Sequence, residues 1–108
     1  MVTVIPSPPV KVEAIDHTKD SVTLAWKPPL DCGRGKIFGY LLEYQKAGDE
    51  EWLQVNQTPD SCQETQFKII DLEDGELYRF RVKAVNAAGE SEPTSVKEPV
   101  RATDRLGN

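Results

Sequence analysis

The chain has one histidine, His17, two cysteines, Cys32 and Cys62, and no apolar run of membrane length in its 108 residues. Each scarcity removes a class of function. A Ser/His or Cys/His nucleophile pair would need His17 beside Ser21, Ser61 or Cys62 in a defined pocket. The sequence instead sets His17 in a short polar turn, where a solvated imidazole is expected. Two cysteines and one histidine at scattered spacing make no ligand set. The acidic run Asp71-Leu72-Glu73-Asp74-Gly75-Glu76 lacks the alternating ligands and distal bidentate Glu of a calcium loop, and reads as a turn. The expectation is a protein with no enzymatic activity, no cofactor and no metal. A formal net charge of -5 argues against nucleic acid or an anionic membrane as partner, because both demand a basic footprint. Nothing approaches the ~20 apolar residues of a membrane span. The opening Met1-Val2-Thr3-Val4-Ile5-Pro6 has neither the basic leader nor the apolar length of a secretory signal. The chain as it stands reads as cytosolic or as a piece of something larger.

Both cysteines fall in segments that read as loops, and Trp26 precedes both of them. A secreted immunoglobulin domain sets its pair inside facing strands with a Trp between them. Cys32 and Cys62 are therefore expected as free thiols, which suits a reducing compartment. Against this stands Asn56-Gln57-Thr58, a formal N-glycosylation acceptor. Such three-residue motifs arise often by chance, so occupancy of Asn56 is a test of compartment rather than a sign of secretion.

What the chain has throughout is alternation with a period of two. Hydrophobic content of 38% against 29% charged residues is ordinary for a folded domain, and 108 residues suffice for one core and one domain. Val10, Val12 and Ala14 alternate with Lys11 and Glu13. Val22, Leu24 and Trp26 share one face of the next strand, which Pro28-Pro29 ends by removing two donors. Phe38, Tyr40, Leu42 and Tyr44 share a parity, with Leu41, Glu43 and Gln45 on the other. A shorter strand runs over 52–55, and Thr65, Phe67 and Ile69 form another. The last is placed over 96–102, at a sheet edge because it carries Pro99. Between these lies the most specific segment: Leu72, a turn at Gly75, then Tyr78, Phe80, Val82 and Ala84 as an inward row. A Tyr so placed can bury its ring and turn its hydroxyl back to the backbone upstream, pinning the corner between sheets. With no helical period anywhere, the fold class is all-β: a two-sheet antiparallel Greek-key sandwich of seven strands, immunoglobulin-like.

The residues also resemble the fibronectin type III family. The match is carried by Pro8-Pro9, Trp26 followed by Pro28-Pro29, Gly39-Tyr40 with Tyr44, Trp52, the Leu72/Gly75/Tyr78 corner and Ala84-Val85-Asn86. Within the family, Trp26-Lys27-Pro28-Pro29-Leu30-Asp31, Gly39-Tyr40-Leu41-Leu42-Glu43-Tyr44-Gln45 and Phe80-Arg81-Val82 with Asn86-Ala87-Ala88-Gly89-Glu90-Ser91-Glu92-Pro93 look like modules of giant muscle proteins such as titin, myosin-binding protein C and the M-band proteins. The loop Asp31-Cys32-Gly33-Arg34-Gly35 departs from the Asp/Gly/Ser-rich turn usual there, and no Arg-Gly-Asp tripeptide is present, so integrin adhesion is not carried over. The resemblance implies a domain over 8–104, a linker over 1–7 and a tail over 105–108. It implies a monomeric module of a cytoplasmic sarcomeric scaffold, in the A-band or M-band, whose partners are neighbouring immunoglobulin-like or fibronectin type III domains and filament proteins such as myosin. The alternative is an ectodomain module of a cell-surface receptor or adhesion protein that binds a protein ligand through loops at one pole.

One patterned charge feature remains. Arg79, Arg81 and Lys83 form an outward basic row and are the candidate protein-binding residues, as a stripe facing an acidic partner. The competing reading is a solvated sheet face in which Glu43, on the neighbouring strand, pairs with one of these cations across the ladder. Trp52, Leu41 and Phe38 are weighed in the same way, as an apolar contact patch or as half-buried aromatics at an edge.

Overall fold

The alternation becomes two facing antiparallel sheets in the computed structural model, which describes residues 5–33 and 35–104. One sheet has the order β1 (Val10–His17), β2 (Val22–Lys27), β5 (Gln66–Ile69). The other places β4 (Leu53–Gln54), β3 (Gly39–Lys46) and β6 (Leu77–Asn86) side by side. The far edge of β6 is covered in succession by β7 (Gly89–Glu90), β8 (Thr94–Ser95) and β9 (Val100–Arg101). The chain changes sheet between β2 and β3, between β4 and β5, and between β5 and β6, which gives the Greek-key path.

The inward rows meet as the alternation requires. Phe80, Leu24, Leu42, Ile69, Val22 and Val82 are fully buried, and Trp26 packs edge-on to Tyr40 with ring centroids 5.3 Å apart. The corner closes as its residues predict: the Glu73 amide donates to the Tyr78 hydroxyl at 2.7 Å, and the Leu72 amide to the Asp20 carbonyl at 2.9 Å.

Three details differ from the sequence reading. The final strand is broken. Val96 still donates to the Phe80 carbonyl at 2.9 Å, but residues 97–99 bend away before β9 resumes at Val100. Pro93 and Pro99 have no N–H to offer, so three short pieces share the place of one edge strand. Phe38 does not join the inward row; β3 begins at Gly39 and Phe38 is 46% exposed. The turn Pro59–Ser61 lies against this point so closely that a Cβ at Gly39 would sit 1.9 Å from the Pro59 carbonyl oxygen. The pairing of β1 with β2 is interrupted by register shifts between Val10 and Glu13 and between Ala14 and Asp16, while Ile15 faces outward as the alternation of Val12 and Ala14 requires. Bulges of this kind blunt an exposed edge.

Candidate docking surface

The ladder between β3 and β6 sets Leu41 opposite Lys83, Glu43 opposite Arg81 and Gln45 opposite Arg79. An outward row of three cations thus lies beside a row with one carboxylate at its centre. Glu43 takes Arg81 Nε at 2.5 Å on Oε1 and Lys83 Nζ at 3.5 Å on Oε2. Lys83 also reaches Glu90 Oε1 at 3.1 Å, and the Arg81 guanidinium lies 4.2 Å from the centroid of the Trp52 ring. Two of the three cations are therefore committed to carboxylates, and the carboxylate between them is nearly buried. Arg79 is exposed, and among the described residues it has no ion-pair partner. The outward apolar residues separate in the same way: Leu41 is buried, Trp52 is half-buried under Arg81, and Phe38 is the exposed member.

The two ends of the sandwich hold the chain's terminal segments. At one pole the Ser7 amide donates to the Asp31 carbonyl at 2.8 Å, and the Asp31 amide donates to Ser7 Oγ at 3.0 Å. Asn86 Nδ2 ties the same loop down through the Cys32 carbonyl at 2.9 Å. At the other pole His17 Nδ1 donates to the Thr103 carbonyl, and Asp104 Oδ1 accepts the Lys19 amide at 3.0 Å. The Gly75 amide donates to the Ala102 carbonyl at 2.7 Å. His17 is thereby placed at the pole away from Ser61 and Cys62, which lie by Gly39 at the start of β3. Nearby Ser21 is hydrogen-bonded to Thr18. Among the described residues no three His, Cys, Asp or Glu side chains converge as a metal site.

Burial shifts two titratable groups of the core. It pushes the Cys62 thiol up to about 11, with Glu64 adding to the effect, and it raises the Tyr40 phenol. Cys62 is a core residue, whereas Cys32 is exposed. The burial of Cys62 was not visible in the sequence, where both cysteines read as loop positions.

The structural role of Asn56, which the sequence marked only as a glycosylation acceptor, is what sequence reasoning missed. The residue is 6% exposed, and its side chain bonds to the backbone of β3. Nothing in its flanking residues marks that role, because its partners on β3, Leu42 and Tyr40, are distant in sequence.

A family model of the fibronectin type III domain matches residues 7–100. Myosin-binding protein H of Gallus gallus is 40% identical over 94 residues, covering 87% of this chain and 17% of that protein. The M-protein of striated muscle from Gallus gallus is 37% identical over 99 residues, covering 92% of this chain and 7% of that protein. A crystal structure of domains from titin aligns with a TM-score of 0.83 at 36% identity, over 93% of this chain and 33% of that one. The chain spans only a small part of the length of these relatives.

Proposed function

The chain belongs to the fibronectin type III family, and from that membership we propose that it is a structural and interaction module of a long sarcomeric scaffold. Its likeness to myosin-binding protein H and to M-protein supports a place in the A-band or M-band. The observation that carries the reading is the pinning of the two terminal segments at opposite poles, Ser7 on Asp31 and Asp104 on Lys19. Strand β1, eight residues long, runs between those poles, a path of roughly 26 Å at ~3.3 Å per residue. A module held in this way transmits position from one neighbour to the next, whether the neighbours are immunoglobulin-like or fibronectin type III domains. The sheet faces are left free for lateral contact.

Docking on filament proteins, myosin among them, would be weak for each module and would add along an array through avidity. The face assigned to it is the row Arg79, Arg81 and Lys83. Within that row Arg79 supplies the uncommitted charge, and Arg81 and Lys83 hold the surface in shape. The test is co-sedimentation of tandem copies with myosin filaments at several salt concentrations. Arg79→Glu is expected to weaken binding about threefold to tenfold and to flatten its salt dependence. Unchanged binding would remove this face from the reading.

A further inference from the structure

The Asn56 side chain completes an edge that no strand covers. β4 pairs with β3 only at Glu43 and Tyr44, and the Val55 amide adds one bond to the Leu42 carbonyl at 2.8 Å. Beyond that point Asn56 Oδ1 accepts the Leu42 amide at 2.9 Å and Nδ2 donates to the Tyr40 carbonyl at 2.8 Å. The side-chain amide thus continues the ladder as the C=O and N–H of a paired residue would. Nδ2 also faces the Thr58 carbonyl and Ser61 Oγ, both at 3.1 Å, on the turn whose Cys62 carbonyl accepts the Tyr40 amide at 2.9 Å. Both hydrogens of Nδ2 are therefore committed, one to the strand and one to the turn.

Asn56 is also the acceptor position of Asn56-Gln57-Thr58. We propose that N-glycosylation at Asn56 and the native fold exclude each other, so that a chain that receives the glycan does not reach this fold and a chain that has folded does not receive it. The transfer forms a bond from Nδ2 to the first sugar carbon of a lipid-pyrophosphate-linked oligosaccharide. The bond from that carbon to pyrophosphate breaks, Nδ2 loses a proton, and the lipid pyrophosphate leaves. The product nitrogen keeps one hydrogen and cannot serve strand and turn together; the Thr58 carbonyl still accepts from Ser61, so the acceptor at stake is the buried Tyr40 carbonyl. It would also need room for a sugar ring at an atom enclosed by β3 and the 59–61 turn. The motif's other essential residue, Thr58, is exposed and contributes only its backbone carbonyl to the lock.

That asymmetry supplies the test. The wild-type chain, Thr58→Ala and Phe80→Asp are directed into the secretory pathway with a signal sequence, and lectin-bound and unbound fractions are melted separately. Phe80→Asp places a charge in the core and serves as the unfolded acceptor. The expected result is a glycan on Phe80→Asp, no cooperative melt in any glycan-bearing wild-type fraction, and a normal melt for Thr58→Ala. A wild type that carries no glycan while Phe80→Asp does gives the same answer. Glycan-bearing wild-type molecules that melt within about 2 °C of the unmodified protein would overturn the proposal. So would a Phe80→Asp chain that never receives a glycan, since the silence would then lie in the local residues and not in the fold.

Discussion

At the scale of single residues, the same side-chain type plays opposite parts according to what lies across the ladder. Arg81 and Lys83 flank Glu43 and are tied to it, whereas Arg79 faces Gln45 and keeps its charge for the solvent. The sequence set Glu43 against one of the three cations without saying which, because alternation gives the face of a residue but not its register. Cys62 shows the energetic side of placement. Its thiol ionises near 8.5 in an unfolded chain but only at about 11 in the sandwich, because burial disfavours the thiolate. A folded value above the unfolded one means that the stabilising contribution is whole below about 8.5 and drains as pH rises toward about 11. The raised Tyr40 phenol acts in the same direction at higher pH. Urea midpoints measured between pH 7 and 10.5 are expected to fall more steeply for the wild type than for Cys62→Ala. Equal slopes would mean that the thiol is not buried as described.

Among the elements, the corner between β5 and β6 ties local chemistry to topology. It contains Asp71 in the left-handed region at φ 63 and Gly75 at φ 84, and the Tyr78 hydroxyl accepts the Glu73 amide. Tyr78→Phe keeps the ring and removes that acceptor, so the expected loss is about 1–2 kcal/mol. At several degrees of melting temperature per kcal/mol for a domain of this size, calorimetry resolves it. A change below the resolution of the scan would show that the corner is held by packing alone. This element was legible because Leu72, Gly75 and Tyr78 sit within one short segment. The broken strand on the far side of β6 was legible only in part. Pro99 signalled an edge, but whether the chain stops, bends or resumes depends on which carbonyls of β6 remain within reach.

For the whole molecule, pairing is deepest in the middle and thin at the side where β1 and the β8–β9 stretch approach each other. There an open groove runs past Lys11, Glu13, Lys97, Glu98 and Arg101. It is bridged at one end by Thr94 Oγ1 on the Pro9 carbonyl, at 2.6 Å, and at the other by His17 on Thr103. Hydrogen exchange should report that gradient. Amides of β2, β3 and β6 are expected to exchange only through global unfolding, and those of residues 97–101 through local opening well below it. Uniform protection across both sets would contradict this picture. The sandwich, its inward rows apart from Phe38, and its corner were determined by the sequence alone, because a period of two and a turn motif are properties of neighbouring residues. Tertiary structure decided which cation is free, why Gly39 must lack a side chain and why Asn56 is locked. Each of those depends on atoms brought together from distant stretches of chain, at distances that no local pattern encodes.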